Sequence, residues 1–337
     1  MLLEFKHEGI YCPQADVYID PWRPVDKALI THGHADHSRW GHKHYLATHA
    51  AAPVMQYRLG DINIETVDYN ESRHINGVEV SFHPAGHIPG SAQIRLEYKG
   101  EVWVVSGDYK VESDGFSEAF ESVKCHTFIT ESTFGLPIYN WKSQQEVADD
   151  INNWWRSNKE QGKTTIITGY ALGKAQRIIQ QLDPSIGTIY THGAVENVNE
   201  VIRTQGFDLQ ATTRVTPEID KGKFKGNIVV ATPSAIGTPW MKKFVPYSVG
   251  ICSGWMALRG ARRRRAVDRG FVLSDHADWN GLNDAVKACG AERVFVTHGY
   301  TNIFSKWLSE TGIESHVVHT EFEGESLDSK DENEPSA

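Results

Sequence analysis

The stretch THGHADHS, residues 31–38, sets His32, His34, Asp36 and His37 within six consecutive positions. Imidazole nitrogens and a carboxylate oxygen are the borderline ligands that zinc takes at catalytic sites, where one coordination position stays open for water. Four such groups in one loop are enough to serve two neighbouring ions. The run KALIT, residues 27–31, is a short apolar strand signal just before them, so the ligands fall in the loop at the strand's carboxyl end. A histidine-rich surface turn is the alternative in a chain with 16 histidines. Chance accounts for a pair of histidines far better than for HxHxDH directly after a strand.

Three more metal-type residues stand at strand ends, where loops carry chemistry. His87 lies in the turn-rich HPAGHIPGSAQ, Asp108 in VVSGDYK after Gly107, and His298 in FVTHGY. Each alone is an ordinary strand-end residue. Together with the cluster they complete a dinuclear set: His32, His34 and His87 on one metal, Asp36, His37 and His298 on the other, and Asp108 between. Two metals about 3.5–4 Å apart can hold a hydroxide and clamp an in-line displacement at phosphorus. The ligands suit zinc, and manganese or iron is tolerated by the same set.

Composition bounds the rest. A chain of 337 residues, 40% hydrophobic and 23% charged, is long and apolar enough for a globular core of one large or two ordinary domains. Cys12, Cys125, Cys252 and Cys289 form no CxxC pair, so neither a disulfide framework nor a zinc knuckle is indicated and a reducing compartment fits. The N-terminus lacks the basic start and apolar core of a leader, and no run of 18 apolar residues occurs, which points to a cytoplasmic protein without a membrane partner.

Net charge is 34 − 43 = −9, so contact with nucleic acid must come from local clusters. The segment LRGARRRRAVDR supplies Arg259, Arg262, Arg263, Arg264, Arg265 and Arg269, whose forks can grip phosphates, or form a solvated basic helix. Trp22, Trp40, Phe134, Trp255 and Trp279 fall near the motifs and could stack on unpaired bases, or belong to the core. In TGYALGKAQR, Gly169, Gly173 and Lys174 make GxxxGK, one residue short of a P-loop and without the following Ser or Thr, which excludes nucleotide hydrolysis. A single substrate phosphate near Ser132, Tyr170 or Lys174 is the weaker expectation left there.

Strand and helix signals alternate as in an α/β protein. Strands are expected at 16–20, 27–31, 44–48, 78–83, 92–98 and 102–107. The rhythm then turns to βαβ, with helices at 146–158, 171–182 and 194–205 between strands at 164–169 and 187–191. Further strands are NIVVAT, SVGICS, GFVLS and RVFVTH, and the closing EFEGESLDSKDENEPSA is acidic and apolar-poor, as disordered tails are.

Taken in order, Asp20, His32/His34/Asp36/His37, His87, Asp108 and His298 resemble the motif set of the metallo-β-lactamase superfamily over most of the chain. Glu131 in FITESTFG, His276 in LSDHADW and His298 in VTHGY look like the three extra motifs of its β-CASP nucleic-acid-processing branch. The opening EFKHEGIYCPQADVYIDPWRPVDKALITHGHADH and the stretch VWVVSGDYK…FITESTFGLPIYNW are most similar to the bacterial ligase-associated DNA exonuclease family, itself similar to Artemis-type DNA repair nucleases.

The resemblance implies an αββα sandwich with an inserted β-CASP α/β domain. Residues 1–137 would form the first part of the metallo-β-lactamase domain, 138–254 the insert, 255–321 the completing part and 322–337 a disordered acidic tail. Asp20 would orient a ligand histidine without touching metal. Glu131 would sit beside the bridging hydroxide or hold His276, and His276 would contact the scissile phosphate or protonate the leaving oxygen. The implied activity is a DNA exonuclease with two zinc ions, trimming DNA ends in repair, beside an ATP-dependent DNA ligase and a helicase. Asp36, Asp108, Glu131 and His276 would be its catalytic group, and a metal-bridging hydroxide its nucleophile. His298 is shared with RNA-cutting members such as ribonuclease J, whereas animal DNA-cutting members carry an apolar residue there. The lack of a long C-terminal extension of the ribonuclease J sort, together with the whole-chain match, favours DNA. A ribonuclease with the same machinery is one alternative, and an inactive nucleic-acid-binding subunit is another. A small-substrate hydrolase is a third, against which Glu131 and His276 count.

Overall fold

The computed structural model describes residues 1–258 and 267–321, and the chain divides into two compact units, Met1–Asn140 with the part from Asp275 onward, and Trp141–Ser274. The first unit opens with β1 (Glu4–Phe5), β2 (Ile10–Cys12), β3 (Val17–Ile19), β4 (Lys27–Leu29), β5 (His44–Thr48) and β6 (Ile64–Val67), which lie side by side in sequence order. The β1–β2–β3 pairs are antiparallel and the β3–β4–β5–β6 pairs parallel. Helix α1 (Ala52–Leu59) carries Pro53 in its first turn, where the fixed φ of proline suits the helix.

A second sheet takes β7 (Ser72–Ile75), β8 (Val78–Pro84), β9 (Ala92–Tyr98), β10 (Glu101–Val105) and β11 (Thr127–Ser132). Alternation along its strands settles which way each side chain faces, because successive residues of a strand point to opposite faces. Trp103 and Val105 of β10, and Ile129 of β11, join Leu3, Ile10, Val17 and Leu29 of the first sheet in one buried cluster. Val104 and Phe128 face the other way. The two sheets therefore pack face to face.

In the second unit α2 (Gln144–Glu160) is started by a capping box in which the Ser143 side chain accepts from the Glu146 amide. Its Val147, Ile151, Trp154 and Trp155 follow the helical repeat and are buried. There follow β12 (Thr164–Thr168), α3 (Lys174–Gln181), β13 (Ile189–Thr191), α4 (Gly193–Thr204), β14 (Thr213–Arg214), β15 (Ile228–Ala231), β16 (Tyr247–Cys252) and β17 (Arg269–Phe271). Every neighbouring pair in the order β14-β13-β15-β12-β16-β17 is parallel. All five residues of the central β12 are buried, as expected for a parallel strand covered on both faces.

The chain then returns to the first unit with α5 (Trp279–Cys289), β18 (Arg293–Gly299), α6 (Thr301–Glu310) and β19 (Glu314–Val317). β18 and β19 extend the second sheet beyond β11. Leu282 and Val286 of α5 and Phe304 and Leu308 of α6 pack on Val104, Phe128, Val294 and Val296, while Ala51 and Met55 at α1 pack on Ala28, Tyr45 and Ala47 of the first sheet. The layers of this unit are thus helix, sheet, sheet, helix.

Several expectations need correction. The return at residue 255 does not hold, because Gly250, Ile251 and Cys252 pair with Arg269, Gly270 and Phe271, which keeps the chain to Ser274 in the second unit. The helix expected at 171–182 starts only at Lys174, since Gly173 at φ 86 breaks the helical backbone. β2, β6, β7, β11 and β19 are not among the expected strands; β7 and β19 are at least half exposed and lack an apolar face, whereas β11 is buried throughout. The run at Arg262, Arg263, Arg264 and Arg265, and the tail 322–337, lie outside the described residues.

Trp103 is wholly buried between the two sheets. Trp103→Ala is expected to cost about 3–5 kcal/mol in urea unfolding of the first unit, and a loss below about 1 kcal/mol would contradict that packing.

Candidate metal centre

The HxHxDH loop leaves β4 at Leu29 and is tied down at once by Asp20. The Asp20 Oδ1 accepts from the Thr31 amide (2.8 Å), and its Oδ2 accepts from both the Thr31 hydroxyl (2.5 Å) and His37 Nδ1 (2.8 Å). With its proton given to Asp20, Thr31 Oγ1 accepts from His32 Nδ1 at 3.0 Å. A single buried carboxylate therefore fixes the tautomers of two histidines, directly for His37 and through Thr31 for His32. Both are left with the Nε2 lone pair. The Nδ1 of His87 donates to the Asp275 carbonyl at 2.8 Å, which leaves its Nε2 in the same state.

These nitrogens converge on Asp108, which follows β10. Its Oδ2 lies 3.6 Å from His32 Nε2, 3.5 Å from His37 Nε2 and 3.9 Å from His87 Nε2, and its Oδ1 lies 3.4 Å from His298 Nδ1. Asp108 is 2% exposed, and the buried His32 Nε2 has no hydrogen-bond partner. A buried carboxylate oxygen ringed by imidazole lone pairs is repulsive unless a cation sits among them. The electrostatics agree. Burial disfavours charge on His37, yet Asp108 and Asp36 hold its pKa well above the ordinary histidine value. Burial, with His37 and His87 adding to it, pushes His32 well below. Burial followed by His276 takes His87 down to about 3. His32 and His87 are thereby kept as neutral imidazoles, the form that binds metal, while the raised His37 reports the strong negative field of the two carboxylates, which favours a cation there.

Donor atoms within 4.8 Å of one another form four overlapping groups among the described residues: His87 with Asp275 and His276, Asp108 with Glu131 and His276, and the two that include the ligand loop, His32 with His34, His87 and Asp108, and His37 with Asp108 and His298. Asp108 is common to both of the latter. His34 Nδ1 is 3.1 Å from His87 Nε2. Asp36 stands at the edge of the second group, with its Oδ2 3.7 Å from His37 Nε2 and its side chain 18% exposed. The clusters imply bound divalent metal, and the donors present, imidazole and carboxylate, fit it.

Behind Asp108, β11 and β18 pair in register to Thr130 and Val296, then slip so that Ser132 faces Gly299. Thr297 and His298 thus stand opposite the single Glu131. A bulge of this sort re-aims side chains beside a site, and His298 takes φ 57 there. Glu131 accepts from the Tyr109 amide (2.8 Å), from the Thr133 hydroxyl and from His276 Nδ1, 3.0 Å from both carboxylate oxygens. Burial opposes a charge on His276, but Glu131 and Asp108 raise its pKa to about 10.

Other expected residues fall elsewhere. Ser132 is fully buried, and its hydroxyl reaches the carbonyls of His298 (2.6 Å) and Thr297 (3.2 Å), so it holds the bulge and is not open to a phosphate. Lys174 is 1% exposed, with its ammonium 5.0 Å over the Tyr170 ring in the second unit, so it is no open phosphate contact either. Of the five aromatic residues considered for base stacking, only Trp40 is exposed, at 75%. Three supports carried no sequence signal. Arg58 of α1 donates to the Gly33 carbonyl (2.6 Å) inside the ligand loop, Ser91 Oγ accepts from the amides of His87 and Ile88, and the Asp275 carbonyl holds His87.

Fold and site together define an α/β protein with a buried histidine and carboxylate centre for divalent metal. No family model matches the chain. Over 94% of its length it is 28% identical to a probable DNA ligase of Opitutus terrae, and it spans 31% of that protein. It is 28% identical to cleavage and polyadenylation specificity factor 73 of Drosophila melanogaster over 54% of the chain and 33% of that relative. It is 27% identical to an RNase J-like protein of Methanocaldococcus jannaschii over 53% of the chain and 50% of that relative. The chain thus spans between about a third and a half of these curated relatives. They are metallo-β-lactamase/β-CASP proteins, the group that the motifs of this chain resemble. In fold the chain is similar to a protein of unknown function from Enterococcus faecalis, with a TM-score of 0.61 at 10% identity over 88% of this chain and 79% of that one.

Asp20→Asn keeps the size of the side chain but cannot accept from Thr31 and His37 together at one carboxylate oxygen as strongly. Metal affinity, read by equilibrium dialysis, is expected to fall about 10–100-fold. Unchanged loading would remove Asp20 as the orienting group.

Proposed function

We propose that the protein is a metal-dependent phosphodiesterase of the metallo-β-lactamase/β-CASP type that trims DNA ends. The first unit would be its αββα sandwich and residues 141–274 its inserted β-CASP domain. The observation that carries this reading is the convergence of two ligand groups on one shared carboxylate, Asp108, with His276 held by Glu131 in the same cluster. His32, His34 and His87 would hold one ion, and His37, His298 and the peripheral Asp36 a second. Zinc or manganese bound there would lower the pKa of water to supply a nucleophile at neutral pH and would neutralise phosphoryl oxygens.

The chain's own residues do the rest. Asp20 and the Asp275 carbonyl hold three histidines in the ligating tautomer. His276, with Nδ1 engaged by Glu131, keeps Nε2 as the nitrogen to contact the scissile phosphate or to give a proton to the leaving oxygen. A pKa raised to about 10 keeps that proton in place through the neutral range, as a general acid requires.

The ligase-named relative, matched over 94% of this chain, supports DNA as substrate and a ligase as partner in end repair, and a helicase is the further partner that the motif resemblance implies. A second reading is a ribonuclease with the same machinery, favoured by relatives named RNase J-like protein and endoribonuclease and by the histidine at 298. The full ligand set counts against an inactive binding subunit. Among the described residues no helix is long and apolar enough to cross a membrane.

Cleavage of matched DNA and RNA strands with defined end phosphates tests the proposal. DNA is expected to shorten from an end, and Asp108→Ala to lose about two orders of magnitude in rate or more. Faster cleavage of RNA would sink the DNA reading, and unchanged cleavage by the variant would sink the catalytic one. The pH profile tests His276 separately. Removing the Glu131 charge lowers the His276 pKa, so the alkaline fall in kcat should move to lower pH in Glu131→Gln. An unmoved limb would remove His276 as the acid.

A further inference from the structure

Arg39, at the end of the metal loop, and Arg23 converge on one acidic residue from the far end of the chain. Arg39 lies two positions beyond His37, and its Nε donates to the Asp36 carbonyl at 3.3 Å while its Nη2 donates to the Glu321 carbonyl at 2.8 Å. The Nη2 of Arg23 donates to Glu321 Oε1 at 2.7 Å. The side chains of Arg23 and Glu321 remain 45% and 43% exposed, so both are reachable from solvent. We propose that Arg23 and Arg39 are phosphate contacts for the nucleic-acid substrate, and that the acidic segment beginning at Glu321 is their intramolecular competitor.

The inference rests on the nuclease reading above and adds to it both a contact and a means of regulation. Guanidinium forks donate to carboxylate and phosphate oxygens alike, so the Glu321 carboxylate on Arg23 stands in for a phosphate. The sequence from Glu321 onward, EFEGESLDSKDENEPSA, carries seven carboxylates against one lysine. An exposed ion pair by itself contributes little. A segment tethered beside its target, however, acts at an effective concentration on the order of millimolar. With a net charge of −9, each cation beside the ligand loop also matters more to an anionic substrate. Trp40, next to Arg39 and 75% exposed, offers an aromatic face for a base of the same strand.

The test uses the full-length chain with all seven carboxylates of 321–337 replaced by Gln or Asn, alone and combined with Arg23→Gln and Arg39→Gln. The readout is kcat and KM on a single-stranded oligonucleotide of the type cleaved, at low and high salt. Neutralising the segment is expected to lower KM about three- to tenfold at about 50 mM salt, with kcat unchanged and the gain fading as salt rises. The double arginine variant is expected to raise KM and to abolish the gain. An unchanged KM, or a gain that persists without the two arginines, would overturn the proposal, since the latter reflects diffuse repulsion. If the unaltered chain cleaves neither DNA nor RNA, the nuclease reading fails and the inference with it. Cleavage with a KM indifferent to the segment removes the inference alone.

Discussion

The interaction on which the structure depends is the meeting of imidazole nitrogens around one buried carboxylate. Asp108 has histidine nitrogens at 3.4 to 3.9 Å from four residues. These side chains come from the loop after β4, the loop between β8 and β9, the turn after β10 and the end of β18. They are drawn from both sheets of the first unit. Only the face-to-face packing that buries Trp103, Val17 and Leu29 brings those strand ends to one place. In a low-dielectric interior the arrangement holds together when positive charge is supplied, which is why the same contacts that form the site also call for metal.

Precision at the centre is obtained with local strain. Asp20 (φ 42) and His298 (φ 57) both occupy the left-handed region that non-glycine residues avoid, at a cost of about 1–3 kcal/mol each. Asp20 offsets that cost with three hydrogen bonds, and His298 is held through its carbonyl by the Ser132 hydroxyl. Gly107 shows the same tightness from the other side. At φ 57, a Cβ on it would stand 2.6 Å from Thr31 Oγ1, the atom that links Asp20 to His32. The backbone around the ligands is thus as specified as the ligands themselves.

How much of this could be read from the chain differed by residue. His32, His34 and His37 share a single loop, so their spacing alone exposed them. His87, Asp108 and His298 could be noticed as polar residues at strand ends, but only a count of ligands tied them together. Glu131 and His276 had ordinary local surroundings, and the resemblance to a family was what singled them out. A phosphate near Ser132 or Lys174 was the weaker expectation, drawn from a glycine turn that leads into a helix N-terminus. Both are buried, and burial is a property of the packed unit and not of the segment. The end of the second unit was set too early because β17 is three residues long and its partner, β16, precedes it by a stretch of basic residues.

The sequence by itself determined the chemistry: the ligand types, their spacing in THGHADHS, the α/β rhythm and the scarcity of free positive charge. These are properties of near neighbours in the chain, and periodicity or motif spacing records them. Tertiary structure alone decided which lone pairs face Asp108, that one carboxylate at Asp20 sets two histidine tautomers, and that Arg58 and Ser91 brace the ligand loops. It also decided that Glu321 meets Arg23 and Arg39, 298 and 282 positions away. Contacts between residues so far apart in the chain depend on how the sheets and helices pack, and no local pattern encodes that packing.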